Sequence, residues 1–458
     1  MATRRSGLWS HALARAPLLG FLALASCETP PTAPPDPFGL SVHPAQQWAG
    51  GVVEVSGLPG GLLRGDVVLA DGDTMELLSM EGDSFTGRLP TAANGPVRIE
   101  VRRADQRAGS GETEAFGLEE IRRYPVEFSP YAFVSAVPVE WGLAVTGFGG
   151  LEDGRFSDLA WIHLSTGQVR QFSGAIDGPS ILKRVGVDPV DGTLYWQWNG
   201  GPDLVRRGRI VGGQLLDLGW VERPCCRYGC EPLLDDIWFH FDWPSTCRVT
   251  TTPTGDECER WIASEASGEP LRLVRLWSRD VAIVESCCAP PVFHLSTGEI
   301  AYSFGPEHPT GTLGRIRVAT DEARGLFYIV QRRTREGFKG WEFPVLALRG
   351  EDGTIARSFV LSSSFDGDAE PPLPEITHDP GSDVLLIHRE DSKALEIRDA
   401  ASYELRGEVS LASLPPGYIR VPPLIDGDTN RAYLVISLSS PEDPGYGMTA
   451  AASLRLLR

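Results

Sequence analysis

The 458-residue chain reads as all-β: a small β-sandwich followed by a larger body of repeated short strands. Three observations predict this class. The 51 glycines and 36 prolines together make about 19% of the chain, above ordinary usage yet below the level of a disordered segment, so turns are frequent and long helices are not expected. Apolar residues alternate at period two in short runs divided by Gly-rich turns. One strand, turn, strand signature recurs four times along the last three-quarters of the chain.

Residues 1–27 have the layout of a secretory signal: Arg4, Arg5 and Arg15 are basic, Ala16 to Ala25 is apolar but too short to span a bilayer, and small residues follow. Leu24, Ala25, Ser26 and Cys27 resemble the lipobox of bacterial lipoproteins. That resemblance implies cleavage before Cys27 and acylation of the cysteine, the alternative being an ordinary cleaved signal with a chance Cys. Each buried methylene contributes about 0.8 kcal/mol, so two or three acyl chains anchor stably where one would not. The resemblance further implies a bacterial envelope location, periplasmic or surface-exposed. Glu28, in place of the Asp associated with inner-membrane retention, favours the outer membrane. Arg4 and Arg5 are loosely similar to a twin-arginine export signal, but Ser6, Gly7 and Leu8 fit it poorly. Residues 28–38 hold the tract TPPTAPPDP, an extended Pro-rich tether.

Loss of Arg4, Arg5 and Arg15 with the signal takes the formal charge from −19 to −22. Nucleic acid is therefore not an expected partner, because binding phosphates needs clustered Lys and Arg and only Lys183, Lys339 and Lys393 exist. The densest basic run, Arg332, Arg333, Arg335 and Lys339, falls between two apolar stretches, Leu326 to Val330 and Phe343 to Leu348, and reads as a solvated hairpin tip.

Residues 39–117 form the sandwich. Val52 to Val55, Asp66 to Leu69, Met75 to Met80, Ser84 to Leu89 and Val97 to Val101 alternate as short strands. The opening LSVHPAQQWAGGVVEVSG resembles bacterial Ig-like domains of the IPT/TIG type, which implies a spacer or adhesive module.

Residues 118–458 repeat. VGVDPVDGTLYW (185–196), VATDEARGLFYI (318–329), ITHDPGSDVLLI (376–387) and PLIDGDTNRAYL (423–434) each place an Asp (Asp188, Asp321, Asp379, Asp426) at a strand end before a polar turn. HLSTGQVRQF (163–172) and HLSTGEIAYSF (294–304) add a second shared hairpin later in the unit. Strands following the Asp turn, with weaker units added, start near Leu143, Leu194, Asp236, Val281, Leu326, Val384 and Ala432, about 48 residues apart. Four short strands at this period resemble a β-propeller of the seven-bladed kind seen in bacterial YVTN-type and quinoprotein-like repeats. Each blade has two apolar faces and must stack on neighbours to bury both, which favours a closed ring. The last unit is short of a strand, so the spare segment Leu118 to Phe128 is expected to supply it and to hide an edge.

Seven cysteines besides Cys27, namely Cys225, Cys226, Cys230, Cys247, Cys258, Cys287 and Cys288, fall in the Cys-rich loop region 225–288. Outside the cytosol such clustering reads as disulfides, with one thiol left over and the pairing open. Adjacent strand residues face opposite ways, so each doublet is expected to pair outward. Zinc at Cys226 and Cys230 with His240 or His294 is the competing reading, weakened by the lack of paired Cys-x2-Cys knuckles.

No catalytic residues emerge. HExxH, GxSxG and GxGxxG are absent, and Gly147, Gly149 and Gly150 lead to Glu152 where a last glycine is needed. The triplet Gly82, Asp83, Ser84 matches a fragment of an esterase block, with no His near it. His163 and His294 occupy one place in two repeats, which suits a structural role. No cofactor is expected, calcium being the one candidate: Asp366, Asp368 and Glu370 share a loop, as do Asp426, Asp428 and Asn430, but the second has Arg431 and Ser437 where an EF-hand needs Gly and Glu. Trp238, Trp243 and Trp261, near the cysteine loops, are candidates for stacking on a sugar or peptide.

Together these observations describe a cell-envelope lipoprotein presenting a propeller to an envelope protein or glycan, with the membrane engaged through acyl chains at Cys27. The alternative is a propeller hydrolase, lyase or lactonase whose acids converge in the central channel, where linear motifs would miss them. A scaffold resembling the propeller lipoprotein of outer-membrane β-barrel insertion fits less well, since that family has eight blades.

Overall fold

The computed structural model describes residues 39–457 except 105, 125–134, 140–141, 148–157, 173–180, 188–192, 200–203, 223–229, 235–236, 241–244, 253–254, 264–271, 286–290, 305–314, 335–339, 364–370, 415–417, 420–421 and 438–448. Among them the only helical turn is a 3-10 turn at Trp277–Arg279, and everything else regular is strand. The protein is all-β, a sandwich followed by a seven-bladed propeller.

The sandwich has two sheets. One runs Ser41–His43, Val52–Ser56, Ser84–Arg88, Glu76–Glu81; the other runs Gln46–Trp48, Gln106–Phe116, Gly95–Arg103, Val67–Ala70, Asp73–Thr74. Inward positions of both, among them Val53, Val55, Phe85, Val97, Ile99 and Val101, are buried in one core. Period-two alternation of burial holds in Val52–Ser56, Val67–Ala70, Ser84–Arg88 and Gly95–Arg103, whereas Glu76–Glu81 is exposed at every residue. Gln106–Phe116 escaped the reading from sequence because its inner positions include Gly109 and Gly111 rather than large apolar residues. Gly111 is small for a reason: a Cβ there would lie 2.7 Å from the Leu40 carbonyl oxygen, where the chain crosses.

Seven sheets follow among the described residues. Blade 1 spans Ser135–Val139 to Val169–Phe172, blade 2 Ile181–Val187 to Gln214–Glu222, and blade 3 Cys230–Leu234 to Gly255–Ala263. Blade 4 spans Arg272–Leu276 to Ile300–Ser303, blade 5 Ile316–Asp321 to Ile355–Ser362, and blade 6 Glu375–Asp379 to Leu405–Ser410. Each is an antiparallel meander, and the second strands begin at or beside the positions expected from the repeat. First strands of neighbouring blades touch one another, as Ile316–Asp321 does with Glu375–Asp379, so they line the axis. Central strands such as Val384–Ile387 are buried at every residue because a blade covers each face, which explains continuous apolar runs where a one-sided sheet would alternate.

Blade 7 closes the ring. Leu424–Asp426, Arg431–Ser437 and Thr449–Arg455 are completed by Leu118–Tyr124, which pairs antiparallel with Thr449–Arg455 from Leu118 opposite Leu454 to Tyr124 opposite Thr449. The outermost strand of the last blade thus precedes the first blade in sequence, as expected from the missing strand, and the edge of Thr449–Arg455 is covered.

The sandwich is fused to blades 6 and 7. Trp48, Ala49 and Phe116 share one core with Val384, Leu386, Leu395, Ile397, Leu434 and Leu454. Main-chain bonds cross the joint: Glu408 N–H donates to Ala49 O and Ser410 N–H to Thr91 O, both at 2.9 Å. The Gly50, Gly51 pair sits here because backbones meet; a Cβ on Gly50, at φ +67°, would lie 2.5 Å from the Glu408 carbonyl oxygen.

The basic run differs from a simple solvated tip. Arg332 lies 5.2 Å over the Trp341 ring and donates to the Pro371 carbonyl at 2.8 Å, and Arg333 pairs with Glu342. Arg335 and Lys339 lie outside the described residues.

Candidate functional site

The recurring aspartates are turn caps. Asp379 accepts bonds from the N–H groups of Gly381 and Ser382 and from the Ser382 hydroxyl. Asp426 accepts from Asp428 N–H (3.1 Å), Thr429 N–H (3.2 Å) and Thr429 Oγ1 (2.7 Å). Asp321 accepts from Arg324 N–H at 2.9 Å. A short carboxylate that binds amides two and three residues on makes the tight turn locally stable, so the signature marks architecture. The Asp426 loop spends its carboxylate on its own turn, as solvated turns do, and Asp188 lies outside the described residues.

His163 and His294 are hairpin positions as well. The amides of Gly167 and Gly298 each donate to the preceding His carbonyl at 2.8 Å, and His163 Nδ1 lies 3.1 Å from Ser165 Oγ. Ser84, in the Gly82, Asp83, Ser84 triplet, gives its hydroxyl to the Glu81 carbonyl at 3.0 Å within the turn.

Two clusters escaped the sequence because their members come from different blades. Asp321, His378 and Asp383 bring ligand atoms within 4.8 Å of one another, and among the described residues this is the acid and imidazole group with metal-like spacing. Arg324 already occupies it, reaching Asp321 at 2.6 Å and also pairing with Asp383, while the buried Tyr328 hydroxyl donates to Asp321 at 3.2 Å. The Arg324 bond holds the Asp383 carboxyl down at about 2. A cation would have to displace a guanidinium, so the cluster works as a clamp between blades 5 and 6. Of its members the sequence singles out Asp321 alone, through the repeat.

The second cluster lies where first strands begin and second strands end, at one mouth of the axis. Arg317 of blade 5 pairs with Glu375 of blade 6 at 2.5 Å, Glu285 of blade 4 accepts Val318 N–H at 2.6 Å, and His388 stands opposite Glu375 in the strand register. Both carboxylates are buried and engaged; burial pushes His388 down to about 4, leaving it neutral at pH 7.

A cleft of about 610 Å³ opens where the sandwich meets blade 6, within the range of ligand pockets. Gln46, Gln47 and Trp48 form one wall, Gly381, Ser382 and Glu404 to Arg406 another, and Leu457 contributes an apolar side. Trp48 is 3% exposed, and its indole Nε1–H has no hydrogen-bond partner. Gln47 is fixed by bonds to Val52 O and from Trp48 N–H, both 2.9 Å, so the wall is rigid.

Of the residues singled out by sequence, Trp238 lies on the second strand of blade 3 and Trp261 on the fourth, with Trp238 opposite Cys247. Cys230, Cys247 and Cys258 lie on the first, third and fourth strands of that blade, Cys258 opposite Val249. Cys27, Cys225, Cys226, Cys287, Cys288, Trp243, Asp366, Asp368 and Glu370 lie outside the described residues, as do Gly149, Gly150 and Glu152.

The architecture defines the class, a β-propeller protein with an appended sandwich. No family model matches the chain. No curated protein matches it either. Among solved structures it is similar to an auxiliary nutrient binding protein from Bacteroides thetaiotaomicron, at 12% identity over 78% of this chain and 96% of that one, TM-score 0.40. It is also similar to the Swd1 β-propeller domain from Myceliophteria thermophila (11% identity, 72% and 99% covered, TM-score 0.46) and to an auxiliary nutrient binding protein from Bacteroides ovatus (14%, 92% and 98%, TM-score 0.32).

Proposed function

We propose that the chain is a cell-envelope lipoprotein, anchored through acyl chains on Cys27, whose sandwich and propeller act as one rigid unit that binds an extracytoplasmic protein or glycan. The signal and lipobox residues support the location. The fused joint supports the binding role: main-chain bonds and a shared core hold the 610 Å³ cleft in a fixed shape, so a ligand meets a pre-organised wall. Indole N–H, carboxamides, Glu404 and Arg406 offer the donors and acceptors that a hydroxyl-rich or peptide ligand uses. Disulfides among the seven downstream cysteines belong to the same extracytoplasmic reading.

The test combines metabolic labelling with palmitate, which should mark the wild type and spare Cys27→Ala, with cross-linked pull-down and glycan arrays on wild type and Glu404→Ala/Arg406→Ala. Loss of a specific partner in the double variant supports the cleft; an identical partner profile overturns it. One observation favours an enzymatic alternative, the convergence of Glu285, Arg317, Glu375 and His388 from three blades at one channel mouth. Turnover of an ester, lactone or glycosidic probe that Glu375→Gln abolishes would establish that reading.

A further inference from the structure

The seam that closes the ring holds a second cleft, of about 340 Å³, between blade 7 and the Leu164, Ser165 turn of blade 1, with Asn94 of the sandwich at its rim. Strand alternation makes it. In blade 7, Ala432, Leu434 and Leu454 point into the core shared with blade 6, so the alternate residues Arg431, Tyr433, Ser453 and Ala451 face blade 1. Ala451 and Ser453 are small, which leaves the space.

Two features of that face point to a ligand. Tyr433 is 4% exposed and lines the cleft, yet its hydroxyl finds no hydrogen-bond partner of acceptable geometry. Buried hydroxyls are rarely left so. The second feature is charge. Glu119 is covered by Arg431 at 2.7 Å and Ser453 Oγ at 2.9 Å, which hold its carboxyl below the usual range, and Arg455 is shared between Glu119 and Glu114. Arg122 donates to the Ser165 main-chain oxygen, a neutral acceptor, so its charge is not cancelled among the described residues. In a chain of net charge −19, the lining Glu119, Arg122 and Arg431 therefore sum to a local positive spot.

We propose that this cleft binds a small polyhydroxylated carboxylate, of the size and chemistry of a single uronic acid, with its carboxylate on Arg122 and a ring oxygen accepting from the Tyr433 hydroxyl. A cation selects the acid, a buried hydroxyl selects an oxygen-rich ring, and a volume near the low end of ligand pockets limits the ligand to about one sugar. The proposal goes beyond the display reading and needs neither the lipid anchor nor the sandwich cleft. Because the lining comes from blade 7, the closing strand and blade 1, the bound acid would bridge the seam and stabilise the closed ring by mass action.

Calorimetric titration of the full chain with D-glucuronate and D-galacturonate, against D-glucose, D-galactose and inorganic phosphate, tests this. At least one uronate should bind tenfold or more tightly than its neutral sugar and than phosphate, and saturation should raise the melting temperature. Arg122→Gln, at an exposed position, should abolish the preference for the acid. Tyr433→Phe should weaken uronate binding at least threefold while the unliganded protein melts as wild type or higher. Equal affinity for acid and neutral sugar, equal affinity for phosphate, absence of uronate binding, or wild-type binding by both variants overturns the proposal. Cross-linking with envelope partners reads the sandwich cleft separately, so failure of one leaves the other standing.

Discussion

Gly50 and Gly60 share a left-handed backbone, at φ +67° and +77°, but differ in surroundings: a Cβ on Gly50 meets Glu408 O at 2.5 Å and Glu408 N at 2.8 Å, whereas Gly60 has nothing within 4 Å. Alanine at either position costs the backbone about 1–2 kcal/mol. At Gly50 the methyl must also push blade 6 from the sandwich, an overpacking cost of about 1–3 kcal/mol against main chain that has no rotamer to change. The Ala49 to Glu408 bond adjoins the same spot and weakens with it. Gly60→Ala should therefore lose about 1–2 kcal/mol and Gly50→Ala about 2–5. Urea unfolding followed by tryptophan fluorescence reads the difference, since Trp48 is buried at the joint. Limited proteolysis should also release the sandwich only from Gly50→Ala. Equal midpoints and equal proteolysis for the two variants would refute a tight joint.

Tyr328→Phe removes a buried donor shared by Asp321 and the Ala400 carbonyl and should cost about 1–2 kcal/mol of stability, read as a lower urea midpoint. Asp379→Ala strips the cap from the first turn of blade 6 and should cost about 1–3 kcal/mol, with Asn recovering part of it. His388 is held near 4 when folded and returns to its ordinary 6.5 when unfolded. The unfolded chain thus takes up the proton first, so this contribution is full above pH 6.5 and falls on acidification, by about 3 kcal/mol once the pH is below 4. Midpoints at pH 7.5 and 4.5 should converge more in His388→Gln than in the wild type, and an unchanged slope would contradict the assignment. Deleting 118–128 should lower the melting temperature far more than any of these substitutions; melting like the full chain would contradict ring closure.

Periodicity made the blades legible. The Asp turns and the HLSTG hairpins lie within single hairpins, so local sequence carries their whole signal, and even the missing last strand could be inferred by counting. Gln106–Phe116 is hidden because its inward positions include Gly109 and Gly111, the latter small where it approaches Leu40. The site was much less legible. Arg324 with Asp383, Arg317 with Glu375 and Arg122 with Ser165 are each joined across blades, by sequence separations that no spacing rule reads. Each residue there looks like an ordinary surface charge until neighbouring sheets bring it beside its partner.

The union of Leu118–Tyr124 with Thr449–Arg455 also sets an order of events. During synthesis the earlier strand waits, unpaired, for more than three hundred residues, and contacts so distant in sequence form slowly because a long loop must first be closed. A product halted before Thr449 lacks the strand that pairs with both Leu118–Tyr124 and Arg431–Ser437. Loss of that one strand therefore bares two edges at once, the kind of surface that pairs promiscuously with other chains.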